Sequence, residues 1–197
     1  IEWTVDDRSL AGIANLQGLP WVLPMDAFFE AWIETLASRL AKLSGGILRV
    51  GRKRETLTSI HWDNSYTGTQ RYLLPDIILE RDETTYIIDA KYKYHWHEIT
   101  EVKWPQSSQE FQEQHRQDLL QILAYSSLKS SPRVVACLVY PCQFKTWESL
   151  HQRRQLAQRA TLSADGRNIE IVLTAVPMNA NVDDVVASLR EIFIPLN

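Results

Sequence analysis

The chain has 197 residues, 45% of them hydrophobic and 23% charged, with a formal net charge of −3 and a sequence pI near 6.0. That length and composition suit one globular domain with one well-buried core. They exclude a tight, non-specific DNA binder held by bulk charge, though not an enzyme brought to its DNA by a partner.

Cys137 and Cys142 are the two cysteines. Neither a disulfide framework nor a zinc spacing can be built from them, which points to a reducing, cytoplasmic compartment. No apolar stretch reaches the roughly 18 to 20 residues of a membrane span, so no membrane association is expected. The chain opens on Ile1 with no methionine and no signal-like segment. It reads as a piece of a longer protein in which another domain precedes it.

Residues 1–24, punctuated by Gly12, Gly18, Pro20 and Pro24, read as an irregular lead-in, the tail of that missing domain. Residues 25–197 read as the domain proper. Met25 to Leu43 places Phe28, Phe29, Trp32, Ile33, Leu36, Leu40 and Leu43 at helical spacing, with Gly45-Gly46 as the stop. Ile47–Val50 and Leu57–Trp62 are short and β-like. Tyr72–Glu80 and Thr85–Lys91 are stronger strands, and Arg81-Asp82-Glu83-Thr84 between them suggests an antiparallel hairpin. From Tyr92 to about Glu113 the chain is polar and reads as a loop or short helix. Gln117–Ser127 is helical, and Val134–Tyr140 is an almost unbroken apolar run, as in a central strand covered on both faces. Trp147–Arg159 reads as a charged helix or long excursion, Ile169–Val176 as a strand, and Asp183–Phe193 as an amphipathic helix. This alternation predicts an α/β domain, a mixed central sheet flanked by helices.

The chemistry concentrates in Leu74-Pro75-Asp76 and Ile88-Asp89-Ala90-Lys91. Side chains alternate along a strand, so Asp89 and Lys91 point the same way from an otherwise apolar segment. Buried charges cost several kcal/mol unless paired or bound to a metal. In a hairpin, Asp76 comes within reach of Asp89. Two converging carboxylates repel, and a hard divalent cation removes that penalty. Mg²⁺ suits such a site, taking one or two carboxylates and keeping several waters, with Mn²⁺ as a substitute. Pro-Asp alone is a common turn and Asp-x-Lys alone a common solvated pair. On average residue usage the combination arises by accident in roughly one chain in fifty, so its placement on two neighbouring strands carries much of the weight. Gln121 and Tyr125, four apart, share one face of the following helix. The plain reading of that pair is a solvent-facing glutamine beside a core-edge tyrosine.

Pro75-Asp76, Asp89-Ala90-Lys91 and Gln121-x-x-x-Tyr125, in this order and spacing, resemble the PD-(D/E)xK nuclease superfamily with its additional Gln-xxx-Tyr motif. More narrowly, Phe28-Phe29-Glu30, Asp89-Ala90-Lys91-Tyr92-Lys93, Asp118-Leu119-Leu120-Gln121 with Ala124-Tyr125, and Val139-Tyr140-Pro141 resemble McrC, the nuclease subunits of modification-dependent McrBC restriction systems. The likeness runs from about Met25 to Phe193. It implies a restriction-endonuclease-like core and a metal-dependent DNA endonuclease of phage defence. Asp76 and Asp89 would hold the metal with the Ala90 carbonyl, and Glu30 would complete the site directly or through water. Lys91 would serve the attacking water and the phosphate, while Gln121 and Tyr125 would brace the site. DNA is the implied substrate. A separate AAA+ NTPase subunit or a fused N-terminal domain is the implied partner, with dimerisation through nuclease domains a further option.

Other signals are weaker. His95-Trp96-His97 lacks a third ligand at metal spacing and reads as a loop that touches DNA. Gly51-Arg52-Lys53-Arg54 and Gln152-Arg153-Arg154 are solvated basic faces or phosphate contacts. No Walker, Gly-x-Ser-x-Gly or dinucleotide motif is present. The rival readings are a non-catalytic DNA-binding or scaffolding module on the same fold, and a repair or transposition nuclease.

Overall fold

Pro24 and Asp26 start helix α1 (Met25–Ser44), and Gly45 at φ 76° ends it, its N–H donating to the Ala41 carbonyl. Glycine enters that left-handed region without a Cβ penalty. The computed structural model describes residues 23–93, 109–164 and 167–194. Phe29, Ile33, Leu36, Ala37, Leu40 and Ala41 form the buried face of α1. Phe28 and Leu43, expected on that face, are exposed, because the apolar residues overfill a stripe of about 100°.

After α1 come β1 (Ile47–Val50) and a 3₁₀ turn (Gly51–Lys53). A small hairpin follows, β2 (Thr58–Ser59) with β3 (Tyr72–Leu73). Then come β4 (Ile77–Arg81), β5 (Thr84–Ala90), α2 (Gln109–Ser126) and β6 (Arg133–Cys142). The chain closes with α3 (Phe144–Gln152), β7 (Ala157–Ala164), β8 (Arg167–Pro177) and α4 (Val182–Phe193). Six strands form one mixed sheet in the order β1-β4-β5-β6-β8-β7. β6 pairs parallel with both β5 and β8, and the outer pairings are antiparallel. The architecture is α/β, consistent with a restriction-endonuclease-like core.

The strand β6 is central because Val134 to Tyr140 is apolar on both faces, and all seven residues are buried. The hairpin β4–β5 turns at Asp82, φ 51°, a conformation aspartate tolerates. Helices cover both faces. Tyr86 packs its ring on Phe193 of α4, whereas Lys91, an odd number of residues on, reaches Gln121 of α2. Strand alternation therefore puts α4 and α2 on opposite sides. Trp32 of α1 donates its indole N–H to the Pro177 carbonyl, 3.1 Å, tying α1 to the end of β8.

Four expectations needed correction. The expected strand Tyr72–Glu80 breaks at Pro75, which has no N–H for a ladder and pushes its predecessor off regular pairing. Leu57–Trp62 shrinks to the two residues of β2. The expected helix or excursion Trp147–Arg159 is two elements, α3 beginning at Phe144 and the edge strand β7. Helix α2 also begins earlier than expected, at Gln109. Among the described residues, no helix is long and apolar enough to cross a membrane, and Cys137 and Cys142 are free.

Candidate active site

The hairpin register decides the first geometric question. Ile77 pairs with Ile88, and continuing that register by one residue puts Asp76 directly across from Asp89. Asp76 is then fixed from both sides. Its Oδ2 accepts from the Ala90 N–H at 2.8 Å, and its carbonyl accepts from the Gly51 N–H at 2.7 Å. Asp89 is 1% exposed. Its Oδ2 stands 2.5 Å from the Lys91 Nζ, close but misaligned, so the atom has no donor in hydrogen-bonding geometry.

Lys91 is positioned at both ends. Its backbone N–H donates to the Val139 carbonyl of β6, 2.9 Å, and its Nζ donates to Gln121 Oε1, 2.8 Å. Gln121 Nε2 in turn donates to the Tyr125 hydroxyl, 2.8 Å. A lysine is donor-only, so Gln121 must turn its oxygen to Lys91 and its amide nitrogen to the tyrosine. The order along this relay follows from chemistry.

Electrostatics set these groups apart from surface charges. Burial, then Asp89, push the Asp76 carboxyl up to about 7, against the Ala90 N–H, which favours the anion. Burial raises Asp89 as well, with Lys91 working against it. Burial opposes charge on Lys91, but Asp89 outweighs it, helped by Asp118 and Asp76, and the ammonium is held above its ordinary value. Glu30, half-buried on α1, is raised by burial, then by Asp26 and Asp89. With Glu34, Gly51, Arg52 and Asp76 it lines a cleft of about 220 Å³.

The structure thus gathers Asp76, Asp89, Ala90 and Lys91 with Gln121 and Tyr125, and sets Glu30 in the adjoining cleft. Among the described residues, no three His, Cys, Asp or Glu side chains form a complete metal cage. The donor set is two opposed carboxylates plus backbone oxygen, with Glu30 at one remove. Arg52 of the basic cluster also lines the cleft but is paired with Glu34 at 2.7 Å, while Arg153 and Arg154 are exposed just after α3. His95-Trp96-His97 and the lead-in up to residue 22 lie outside the described residues.

A family model described as McrBC 5-methylcytosine restriction system component matches residues 9–141, about two thirds of the chain. The chain belongs to this family. No curated protein matches it. The match covers α1 through nearly all of β6 and so contains every residue of the site described above. In this McrBC family member, α3, β7, β8 and α4 lie beyond the matched span and complete the sheet.

The structure adds residues to this site whose roles the sequence reading did not assign. Asp118, 4% exposed, accepts from the Lys93 Nζ through both oxygens, 2.9 and 3.1 Å. This places a second lysine–aspartate pair beside the first. Gly51 is required by contact, since a Cβ there would sit 2.6 Å from the Pro75 carbonyl oxygen. Thr56, buried, donates its hydroxyl to that same oxygen at 2.6 Å. The signal available for Asp118 was its place one helical turn before Gln121 (i, i+3). Gly51 and Thr56 act through the backbone of a segment remote in sequence.

Proposed function

We propose that this chain is the nuclease component of a restriction system, a Mg²⁺-dependent endonuclease of the PD-(D/E)xK type that hydrolyses phosphodiester bonds in DNA. One observation carries the reading: Asp76 and Asp89 oppose each other at the end of the β4–β5 hairpin, with Lys91 bracketed between Asp89 and Gln121. A buried Asp89 and a half-buried Asp76, whose carboxyl is pushed up to about 7, make a site short of positive charge. Lys91 offsets only one of them.

Mg²⁺ fits that shortage, because it accepts a pair of carboxylates with water filling the remaining positions, and Asp89 Oδ2, though paired with the Lys91 ammonium, makes no aligned hydrogen bond. Asp76 and Asp89 would hold the ion with the Ala90 carbonyl, and Glu30 would act through water. Mn²⁺ would substitute. When bound, the ion supplies Lewis acidity and a more acidic water. The remaining work belongs to the chain. Lys91 neutralises charge gathering on the phosphate oxygens and offers a donor beside the attacking water. Gln121 and Tyr125 hold the ammonium in that position, so its orientation is set before substrate arrives. The sequence carries no nucleotide-binding motif. A separate AAA+ NTPase subunit, or a domain fused at the N-terminus, would therefore supply translocation, and pairing of two nuclease domains would allow both strands to be cut.

The test is cleavage of a plasmid carrying 5-methylcytosine by the full-length protein with its motor partner, with Mg²⁺ and with EDTA. Cutting is expected only with the metal. Undiminished cutting in EDTA overturns the metal reading. Intact plasmid under Mg²⁺ and Mn²⁺ alike overturns the nuclease reading.

A further inference from the structure

Between the 3₁₀ turn and Pro75 the chain throws out a projection that the cleft chemistry does not use. Its base is the pairing Thr58 with Leu73 and Ser59 with Tyr72. It carries Trp62, Tyr66 and Tyr72, which are 45%, 63% and 44% exposed. A single exposed aromatic residue is ordinary, but three on one small hairpin mark a contact surface. The rings are held in place. Trp62 and Tyr66 meet edge to face, centroids 5.6 Å apart at 81°, so the edge of one ring rests on a single face of the other, and both rings stay exposed. The Trp62 indole N–H donates to the Gln70 carbonyl at 2.8 Å, and the Tyr66 N–H donates to Thr69 Oγ1 at 2.7 Å.

Positive charge gathers toward the base of this projection. Between residues 51 and 72 stand Lys53, Arg54 and Arg71, with Arg52 paired to Glu34, against Glu55 and Asp63, in a chain whose net charge is −3. Lys53, Arg54 and Arg71 are exposed, and the Arg54 guanidinium lies 5.7 Å over the Tyr72 ring. Glu55 is turned toward the strand, its Oε2 accepting from the Val50 N–H at 2.9 Å. The base of the projection is also fastened to the site, through Thr56 to the Pro75 carbonyl and Gly51 to the Asp76 carbonyl.

We infer that this hairpin is a finger that grips unpaired DNA beside the cleft, with Trp62 and Tyr66 stacking on bases and Lys53, Arg54 and Arg71 neutralising phosphates. The inference rests on the nuclease reading of the cleft. Fixed aromatic faces interleaved with cations hold single strands because every base has a π-face and every linkage a charge. Inside an intact duplex the bases already stack on one another. The DNA addressed is therefore a strand opened, gapped or ended next to the bond to be cut.

The test reads binding of the full-length protein in chelator, where nothing is cut, by fluorescence anisotropy. The probes are a labelled single-stranded oligonucleotide and the same sequence fully paired. Trp62→Ala and Tyr66→Ala are each expected to weaken single-strand binding by roughly 5- to 100-fold and duplex binding much less. Trp62→Phe, which keeps a ring, retains most of it. Arg54→Ala with Arg71→Ala flattens the log–log salt dependence on single strands by about 1.4, at about 0.7 per phosphate contact. Melting curves confirm that each variant is folded, and Tyr66→Ala removes the most exposed of the three rings.

Single-strand binding equal to the parent's in both aromatic variants overturns the finger, as does a parent that prefers the duplex. Loss of affinity for a motor partner with DNA affinity intact also overturns it, making the hairpin a protein-docking element. A parent that cuts DNA while the variants bind normally removes the finger and leaves the nuclease. The expected binding losses without cutting under any divalent ion do the reverse.

Discussion

Two acidic residues of the same sheet are driven in opposite directions. Glu170 on β8 stands between Arg133, 2.7 Å away, and Arg159. Burial works to raise its pKa, yet the two arginines hold it below the ordinary carboxylate range. Asp76, at the mouth of the hairpin, is pushed up to about 7 by burial and by Asp89. The difference lies in who supplies the counter-charge. Around Glu170 the chain provides two cations for one anion, at the surface. At the β4–β5 end it gathers Glu30, Asp76, Asp89 and Asp118 against Lys91 and Lys93, with Asp89 and Asp118 buried and Asp76 half-buried. A fold does not gain stability from such a deficit, and the metal proposed for the site would remove it.

The strongest break of that contrast is Asp89→Asn. Cleavage is expected to fall to background, while above pH 7 in chelator the melting temperature changes little, because the repulsion with Asp76 and the attraction to Lys91 are lost together. A marked drop in melting temperature without metal would make the carboxylate a structural one and erase the distinction from Glu170.

The proton on Asp76 sharpens the contrast next. Its folded pKa is raised from 3.8 to about 7. The stability this carboxyl contributes to the metal-free protein is therefore full below about pH 4 and lost as pH rises through 7. Mg²⁺ competes with that proton, so its thermal stabilisation of the protein should be large above pH 7 and shrink below it. Asp76→Asn should flatten the dependence. Scanning fluorimetry across pH, with and without Mg²⁺, reads both, and an equal Mg²⁺ shift on either side of pH 7 would break the account.

A smaller effect is expected in the relay. Tyr125→Phe deletes the acceptor that anchors the Gln121 amide and should slow cleavage roughly tenfold, about 1.4 kcal/mol of barrier. Gln121→Leu, which also releases Lys91, should cost up to about a hundredfold and leave the helix at least as stable. Unchanged rates in single-turnover assays of both would reduce the pair to helix packing. The smallest effect belongs to Glu170→Gln, expected to cut at the parent's rate and to lose less than about 1 kcal/mol in a denaturant melt, as for partly exposed ion pairs.

Much of this was legible in the sequence because it is written locally. Val134–Tyr140 declares a central strand by its unbroken apolar run, and Asp89 with Lys91 declares one face by alternation alone. The strand β7 was not legible. It lies at the sheet's edge, its residues from Gln158 to Ser163 are exposed, and so no buried face imposes an apolar period on them. The Lys93–Asp118 pair joins residues far apart in the chain and on different elements, a meeting that only the packing of α2 on β5 and β6 brings about. Pro75 was read as half of a motif, yet its lack of an N–H also ended the expected strand and freed Asp76 to turn inward.

The way Asp76 is held has a consequence for how such a protein can change. Its carbonyl, the carbonyl before it and its carboxylate are received by the Gly51 N–H, the Thr56 hydroxyl and the Ala90 N–H. Two of these three partners are peptide groups, present whatever the side chain. Substitutions over the hairpin projection and the outer face of α1 therefore leave the acid's anchoring in place, whereas position 51 is held by size and position 56 by its hydroxyl. The acid's position is thus set by main chain, and surface variation around it need not move it.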